Sequence, residues 1–291
     1  MILVLLGPTA SGKSALAIEL AQKIGGEIVN ADAFQVYKDF PIATASPKEE
    51  EKRMVPHHLY NFVPSDISYD IAQYQKDVRK VLDDLLKEGK TPILVGGSGL
   101  YIRSALYDYD LGVDTSNVDM SPYEKYGDIA LHEVLEKLDW TEAQKIPYQN
   151  RRRVLRSIAL CLAAKESKTS LLSKQSHKPI YDCQFFRLSP SRDFLYERID
   201  KRVEEMFQEG VVEEVLPKIE GVEDIKGAYQ AIGVKEFFLY RNKLLSLSET
   251  KEKIKLDTRH YVKRQETFFR HQFESAIVNS LSEVLDVIQN R

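Results

Sequence analysis

The chain has 291 residues, of which 43% are hydrophobic and 29% charged, the composition of a soluble globular protein long enough for one large α/β domain or a core carrying an insertion. A net charge of −3 excludes a nucleic-acid surface spread over the whole molecule, so any such surface has to be a local basic patch. Cys161 and Cys183 lie far apart, match no metal-ligand spacing and read as reduced thiols in apolar segments.

The apolar run Met1 to Leu6 reads as a strand. It is too short for a membrane span or signal segment and lacks a basic leader, so we expect a cytoplasmic protein. Gly7-Pro8-Thr9-Ala10-Ser11-Gly12-Lys13-Ser14 follows, with a glycine, four residues, then Gly-Lys-Ser between that strand and an Ala- and Leu-rich helical pattern. Such a loop binds phosphate: glycines let the backbone N–H groups point inward, and the positive end of the next helix favours an anion. Lys13 would reach outer phosphate oxygens, and Ser14 is placed to hold Mg²⁺ or a phosphate oxygen. A plain Gly/Ser turn before a helix is the alternative reading.

Helical spacing over Ala15 to Ile24 ends at Gly25-Gly26, and the strand Glu27 to Ala31 delivers Asp32 at its C-terminal end, the edge where open α/β sheets bind ligands. Asp32 could serve as a general base, a water-mediated metal partner or a helix N-cap. Phe34 to Pro64 lacks periodicity and reads as loops and short turns. Its adjacent His57 and His58 cannot share a helical face and have no carboxylate completing a zinc spacing, so a surface or core-edge role is expected. A helix is expected over Asp70 to Glu88, ended by Gly89. Thr91 to Val95 is a buried parallel strand that runs into Gly96-Gly97-Ser98-Gly99, and Ser98 would offer a hydroxyl at the same sheet edge. Many P-loop hydrolases end this strand in an Asp for Mg²⁺; glycine here argues against a generic NTPase.

Periodicity fades after Tyr107 and resumes over Tyr123 to Leu138, so residues 110–148 read as a helical insertion subdomain, with 1–109 and 149–291 forming the core. Asn150 would cap a helix whose first two turns carry Arg151, Arg152, Arg153 and Arg156. These charges oppose the helix dipole, so a nearby phosphate or carboxylate is expected to compensate. Tyr181 to Leu188 reads as a strand and Ser191 to Leu216 as a helix broken at Glu209-Gly210. Gly227 to Val234 is a turn entering Lys235 to Leu239. Ser248 to Phe273 is a long helix with Lys253, Lys255, Arg259, Lys263, Arg264 and Arg270 among aromatic rings, a pattern suited to single-stranded nucleic acid.

Seven segments in order, namely the loop at Gly7 to Ser14, Asn30 to Tyr37, Val55 to Leu59, Val95 to Tyr101, Asn150 to Val154, Ala231 to Gly233, and Asp257-Thr258-Arg259 with Lys263-Arg264-Gln265, resemble the tRNA dimethylallyltransferases. The resemblance implies a P-loop NTPase-like parallel sheet flanked by helices. It also implies transfer of a dimethylallyl group from dimethylallyl diphosphate to N6 of the adenine 3′-adjacent to a tRNA anticodon, with Mg²⁺ as cofactor, diphosphate as leaving group and a monomer as the acting form. By resemblance Asp32 and Ser98 are catalytic, while Gly7, Thr9, Ala10, Ser11, Gly12, Lys13, Ser14, Arg151 and Arg153 hold diphosphate. Contacts to tRNA fall to Gln35, Tyr37, Thr44, Gln149, Arg152, Gln230, Arg259, Lys263, Arg264, Gln265 and Phe268. Gln230 stands where some members carry an arginine said to touch diphosphate, Ser98 where Thr is usual, and Phe268 where Trp is usual. An adenylate isopentenyltransferase and a small-molecule P-loop kinase are the competing readings.

Overall fold

A computed structural model describes residues 1–109, 113, 115, 117–174, 176 and 178–290. In chain order the first part holds β1 (Ile2–Leu6), α1 (Lys13–Ile24), β2 (Glu27–Asn30), α2 (Pro41–Thr44), α3 (Glu49–Met54), β3 (His57–His58), α4 (Ile71–Lys87), β4 (Pro92–Gly96) and α5 (Gly99–Leu106). Next come α6 (Ser121–Glu124), α7 (Asp128–Leu138), α8 (Trp140–Ala143), α9 (Arg151–Ala164) and α10 (Lys168–Ser173). The chain then forms β5 (Cys183–Arg187), α11 (Arg192–Gln208), α12 (Val211–Ile219), a 3-10 turn at Gly227–Gln230, α13 (Lys235–Arg241), α14 (Leu247–Gln272), β6 (Ala276–Ile277) and α15 (Leu281–Gln289).

Every strand pair is parallel, and the sheet order is β3-β2-β4-β1-β5-β6. Continuous apolar runs explain the middle of this order, because β1 and β4 are buried along their whole length. From β1 the chain crosses to β2, returns to β4, and later emerges at β5 on the other side of β1. The order therefore reverses beside β1, where a crevice opens at the carboxyl ends of the strands. Gly96 ends β4 because a Cβ there would overlap the backbone of Ala31 at the end of β2. That close approach, rather than a metal-holding Asp, is what the position is built for.

The expected loop region contains α2, α3 and the edge strand β3, whose His57 and His58 register against Ile28 and Val29. His58 pairs with buried Glu27 at 2.6 Å, the core-edge role expected of it. The break at Glu209-Gly210 separates α11 from α12 as expected. Two short C-terminal elements, β6 and α15, had no counterpart in the periodicity.

The chain divides into two compact units, one of residues Met1–Leu106 and Tyr181–Arg291, the other of Tyr107–Ile180. The inserted unit is therefore longer than the 110–148 expected. Its start at Asp110 lies outside the described residues, and at its far end α9 and α10 belong to it. The reason is packing: Val154 and Ile158 of α9 share a core with Leu131 and Leu135 of α7. In the larger unit, one core lies around α1 and the sheet, and another joins α11, α12, α13 and α14.

Candidate active site

The loop after β1 leads directly into α1, with Gly12 at the helix N-cap and no side chain capping it. The first-turn N–H groups are thus left for an anion. Within the loop, the Ser11 hydroxyl is buried without a hydrogen-bond partner among the described residues. Lys13 keeps partial access to solvent, but its ammonium lies deep among protein atoms. Burial lowers its pKa to about 8, against the opposing pull of Asp32, and Arg202 lowers it further. Ser14 faces a small separate cavity of about 60 Å³ that also touches Glu51, His57 and Tyr60.

Asp32 follows β2 in a tight turn. Its backbone N–H donates to Asn30 Oδ1 at 2.8 Å, and its own Oδ1 accepts from the N–H of Phe34 at 3.0 Å. No helix begins there, so the N-cap alternative falls. Oδ2 carries no hydrogen bond among the described residues. Ser98, nearly buried, accepts from the N–H of Ala33 at 3.0 Å, which ties the turn after β4 to the turn after β2. The Tyr261 hydroxyl of α14 donates to Gly97 O at 3.4 Å, and its pKa is pushed up to about 12 by burial and by the charge of Asp32.

Asp32 lines a cavity of about 190 Å³ together with Thr9, Arg202 and Tyr261. Sequence reading missed Arg202. It lies in the middle of α11, where its Nη2 donates to Thr44 O at 3.4 Å. Burial lowers its pKa, and Asp32 opposes that shift. Asp32, Lys13 and Arg202 therefore sit close enough for their charges to act on one another: one anionic oxygen donor and two cations around the mouth of a phosphate loop. The one signal for Arg202 was its position in a helical face with Ile199, Val203 and Met206, all of which also line the cavity.

Several residues expected at the substrates have other work. Gln265 is buried; its Oε1 accepts from Thr9 N–H at 2.9 Å and its Nε2 donates to Gly97 O at 2.9 Å, so it fastens the first loop to the second rather than reaching out to RNA. Arg259 grips Asp200 with one nitrogen at 2.5 and 2.7 Å and lies over the Tyr196 ring. Tyr37 is packed in the core, and the buried Thr44 hydroxyl bonds Phe40 O at 2.8 Å, although Thr44 still borders the cavity. Gln35 spends its amide on the carbonyls of Thr44 and Ala45.

Gln230 lines the cavity and donates to Ile225 O. Lys263 and Arg264 are exposed, with Arg264 over the Tyr261 ring, and the Phe268 ring lies against Gly99. In the inserted unit, Arg151 is held by Asp128 at 3.1 Å and by the carbonyls of Glu124 and Tyr126, and Arg153 lies 4.0 Å from Glu142. The anion expected to compensate the arginine-rich start of α9 is thus supplied by the protein's own carboxylates. Gln149 and Arg152 are exposed beside them.

Fold and site together define a P-loop-like α/β enzyme core in which Asp32 and Arg202 line one cavity and the loop lysine Lys13 lies within range of both charges. A family model described as IPP transferase matches residues 35–272, and the chain belongs to that family. The tRNA dimethylallyltransferase of Anoxybacillus flavithermus is 39% identical over 273 residues, covering 93% of this chain and 88% of the relative. A tRNA delta(2)-isopentenylpyrophosphate transferase from Staphylococcus epidermidis superposes with a TM-score of 0.72 at 35% identity, covering 99% of this chain and 97% of that one. A eukaryotic dimethylallyltransferase acting on tRNA reaches a TM-score of 0.85 at 27% identity, over 100% of this chain and 80% of its own.

Proposed function

We propose that this chain transfers the dimethylallyl group of dimethylallyl diphosphate to N6 of the adenine 3′-adjacent to a tRNA anticodon, releasing diphosphate. The observation that carries this reading is that Asp32 and Arg202 line one largely apolar cavity while the buried ammonium of Lys13, from the phosphate loop, lies close enough for its charge to act on both. In the reaction the C1–O bond of the donor breaks and its electron pair leaves with the diphosphate, while the N6–C1 bond forms and the N6 proton passes to Asp32. An exocyclic amine is a weak nucleophile, so removing its proton as the bond forms lowers the barrier. Lys13, Arg202 and the open N–H groups at the start of α1 stabilise charge growing on the leaving group. Ser98, which accepts from the Ala33 N–H, has a hydroxyl proton to orient toward the ester oxygen.

Mg²⁺ is the cofactor this reading implies. The donors fit it: Ser14 offers a hydroxyl at the start of α1, the buried Ser11 hydroxyl has no hydrogen-bond partner among the described residues, and both are hard oxygens. Among the described residues no group of three His, Cys, Asp or Glu forms a cage, which suits an ion that takes most of its ligands from water and substrate oxygens. Ser14 and the diphosphate would hold it, and when bound it adds positive charge at the leaving group.

Incubated with dimethylallyl diphosphate, Mg²⁺ and unmodified tRNA, the protein is expected to yield N6-prenyl-adenine, read by mass spectrometry of the digested tRNA. Loss of γ-phosphate from ATP with no added prenyl mass would instead make it a kinase. Asp32→Ala is expected to lower turnover by a factor on the order of 10² or more with tRNA binding nearly intact. Equal losses in both would reduce Asp32 to a structural part of its turn.

A further inference from the structure

The face that α11 turns to the cavity changes character along its length. Arg202 marks the charged end, beside Asp32 and the carbonyl of Thr44. One helical turn on, about 6 Å along the axis, the same face presents the thioether of Met206, which is buried and lines the cavity. At that end the walls converge. A Cβ placed on Gly233 would lie 3.1 Å from Met206 Cε, 3.1 Å from Ala43 O and 3.4 Å from Ala43 Cβ. Gly233 has φ +93, a left-handed conformation that disfavours any side chain, and its N–H is held by buried Glu236 at 2.8 Å. The backbone on this side is therefore fixed, and Met206 is the movable part of the stop.

Resting on the prenyl-transfer reading, we propose that Met206, backed by Ala43 and Gly233, sets the length of prenyl chain the enzyme accepts, closing the cavity after one five-carbon unit. With the diphosphate held at Lys13 and Arg202, the four-carbon backbone of a dimethylallyl group spans about 4 Å at ordinary carbon–carbon bond lengths, within the turn that separates Arg202 from Met206. A ten-carbon geranyl chain is about twice as long and would run into the Met206 side chain.

The test compares dimethylallyl diphosphate with geranyl diphosphate on the same unmodified tRNA, for the wild-type protein, Met206→Ala and Met206→Val, with products weighed by mass spectrometry and kcat/KM taken for each donor. The wild type is expected to favour the shorter donor by about 100-fold or more, on the scale by which apolar pockets reject extra carbons. Met206→Ala is expected to reduce that preference about tenfold or more through gained geranyl transfer, with Met206→Val intermediate. Should Met206→Ala not fold, Met206→Val is judged by the same ratio. A wild type that uses both donors equally, or a folded variant that transfers dimethylallyl with an unchanged ratio, overturns the proposal. Absence of transfer from either donor by the wild type overturns the prenyl-transfer reading beneath it, a distinguishable result.

Discussion

Lys13 shows how the site handles charge at the level of one residue. Burial weakens its hold on a proton, Asp32 restores part of it, and the balance leaves its pKa at about 8. A diphosphate seated in the loop favours the ammonium form. Below that pKa the free protein already carries the charge, so Lys13 itself adds no pH dependence to the affinity for inorganic diphosphate. Above it the proton must be supplied on binding, so affinity falls by up to about tenfold per pH unit. Calorimetric titration with diphosphate across this range checks the prediction, with Lys13→Met as control. The variant should bind more weakly and lose the inflection; an inflection that survives in it assigns the titration to another group. Lys13 and Asp32 were legible in the sequence because each is fixed by its own strand and turn. Arg202 was not, because its task depends on α11 returning to the sheet edge from far along the chain.

Among the elements, α14 shows what charge pattern alone misjudges. Its basic residues among aromatic rings suggested a pattern suited to single-stranded nucleic acid, but the helix distributes them around its circumference. Thr258, Val262, Gln265 and Phe269 form the buried stripe, at spacings of four, three and four residues, while Lys263, Arg264 and Arg270 face solvent. That periodicity was present in the sequence and marks Gln265 as inward-facing; what it could not disclose is that the amide would find Thr9 on one loop and Gly97 on another. Gln265→Leu keeps the bulk, leaves the Thr9 N–H without its partner and leaves Gly97 O with only the Tyr261 hydroxyl at 3.4 Å. Each buried polar group so stranded costs about 1–3 kcal/mol, and thermal denaturation should show the melting temperature falling by several degrees. Added diphosphate should raise that temperature less in the variant than in the wild type, because the Thr9 loop is no longer fastened. An unchanged melting temperature would mean that water replaces the glutamine and that the link is dispensable.

Over the whole molecule, contacts settle what composition leaves open. The compact inserted unit runs Tyr107–Ile180 where periodicity suggested 110–148, because α9 looks like any amphipathic helix until its partners in α7 are known. Charge follows the same logic. A net −3 chain can bind RNA only where cations are free of internal partners, and burial and pairing divide the candidates. Arg259 is committed to Asp200, whereas Lys263 and Arg264 are exposed, Arg264 also lining the cavity beside Tyr261. Replacing Lys263 and Arg264 together by Gln should weaken tRNA binding and lower the slope of log affinity against log salt by roughly 1–2, since each phosphate contact contributes about 0.7–0.9. Arg259→Gln should leave that slope unchanged while reducing thermal stability, because what it loses is an internal ion pair and a ring contact. Fluorescence anisotropy with labelled tRNA at several salt concentrations separates the two effects. If Arg259→Gln lowers the slope as much as the double variant does, its pairing with Asp200 yields to RNA and the division of α14 into a buried and an RNA-facing side is wrong.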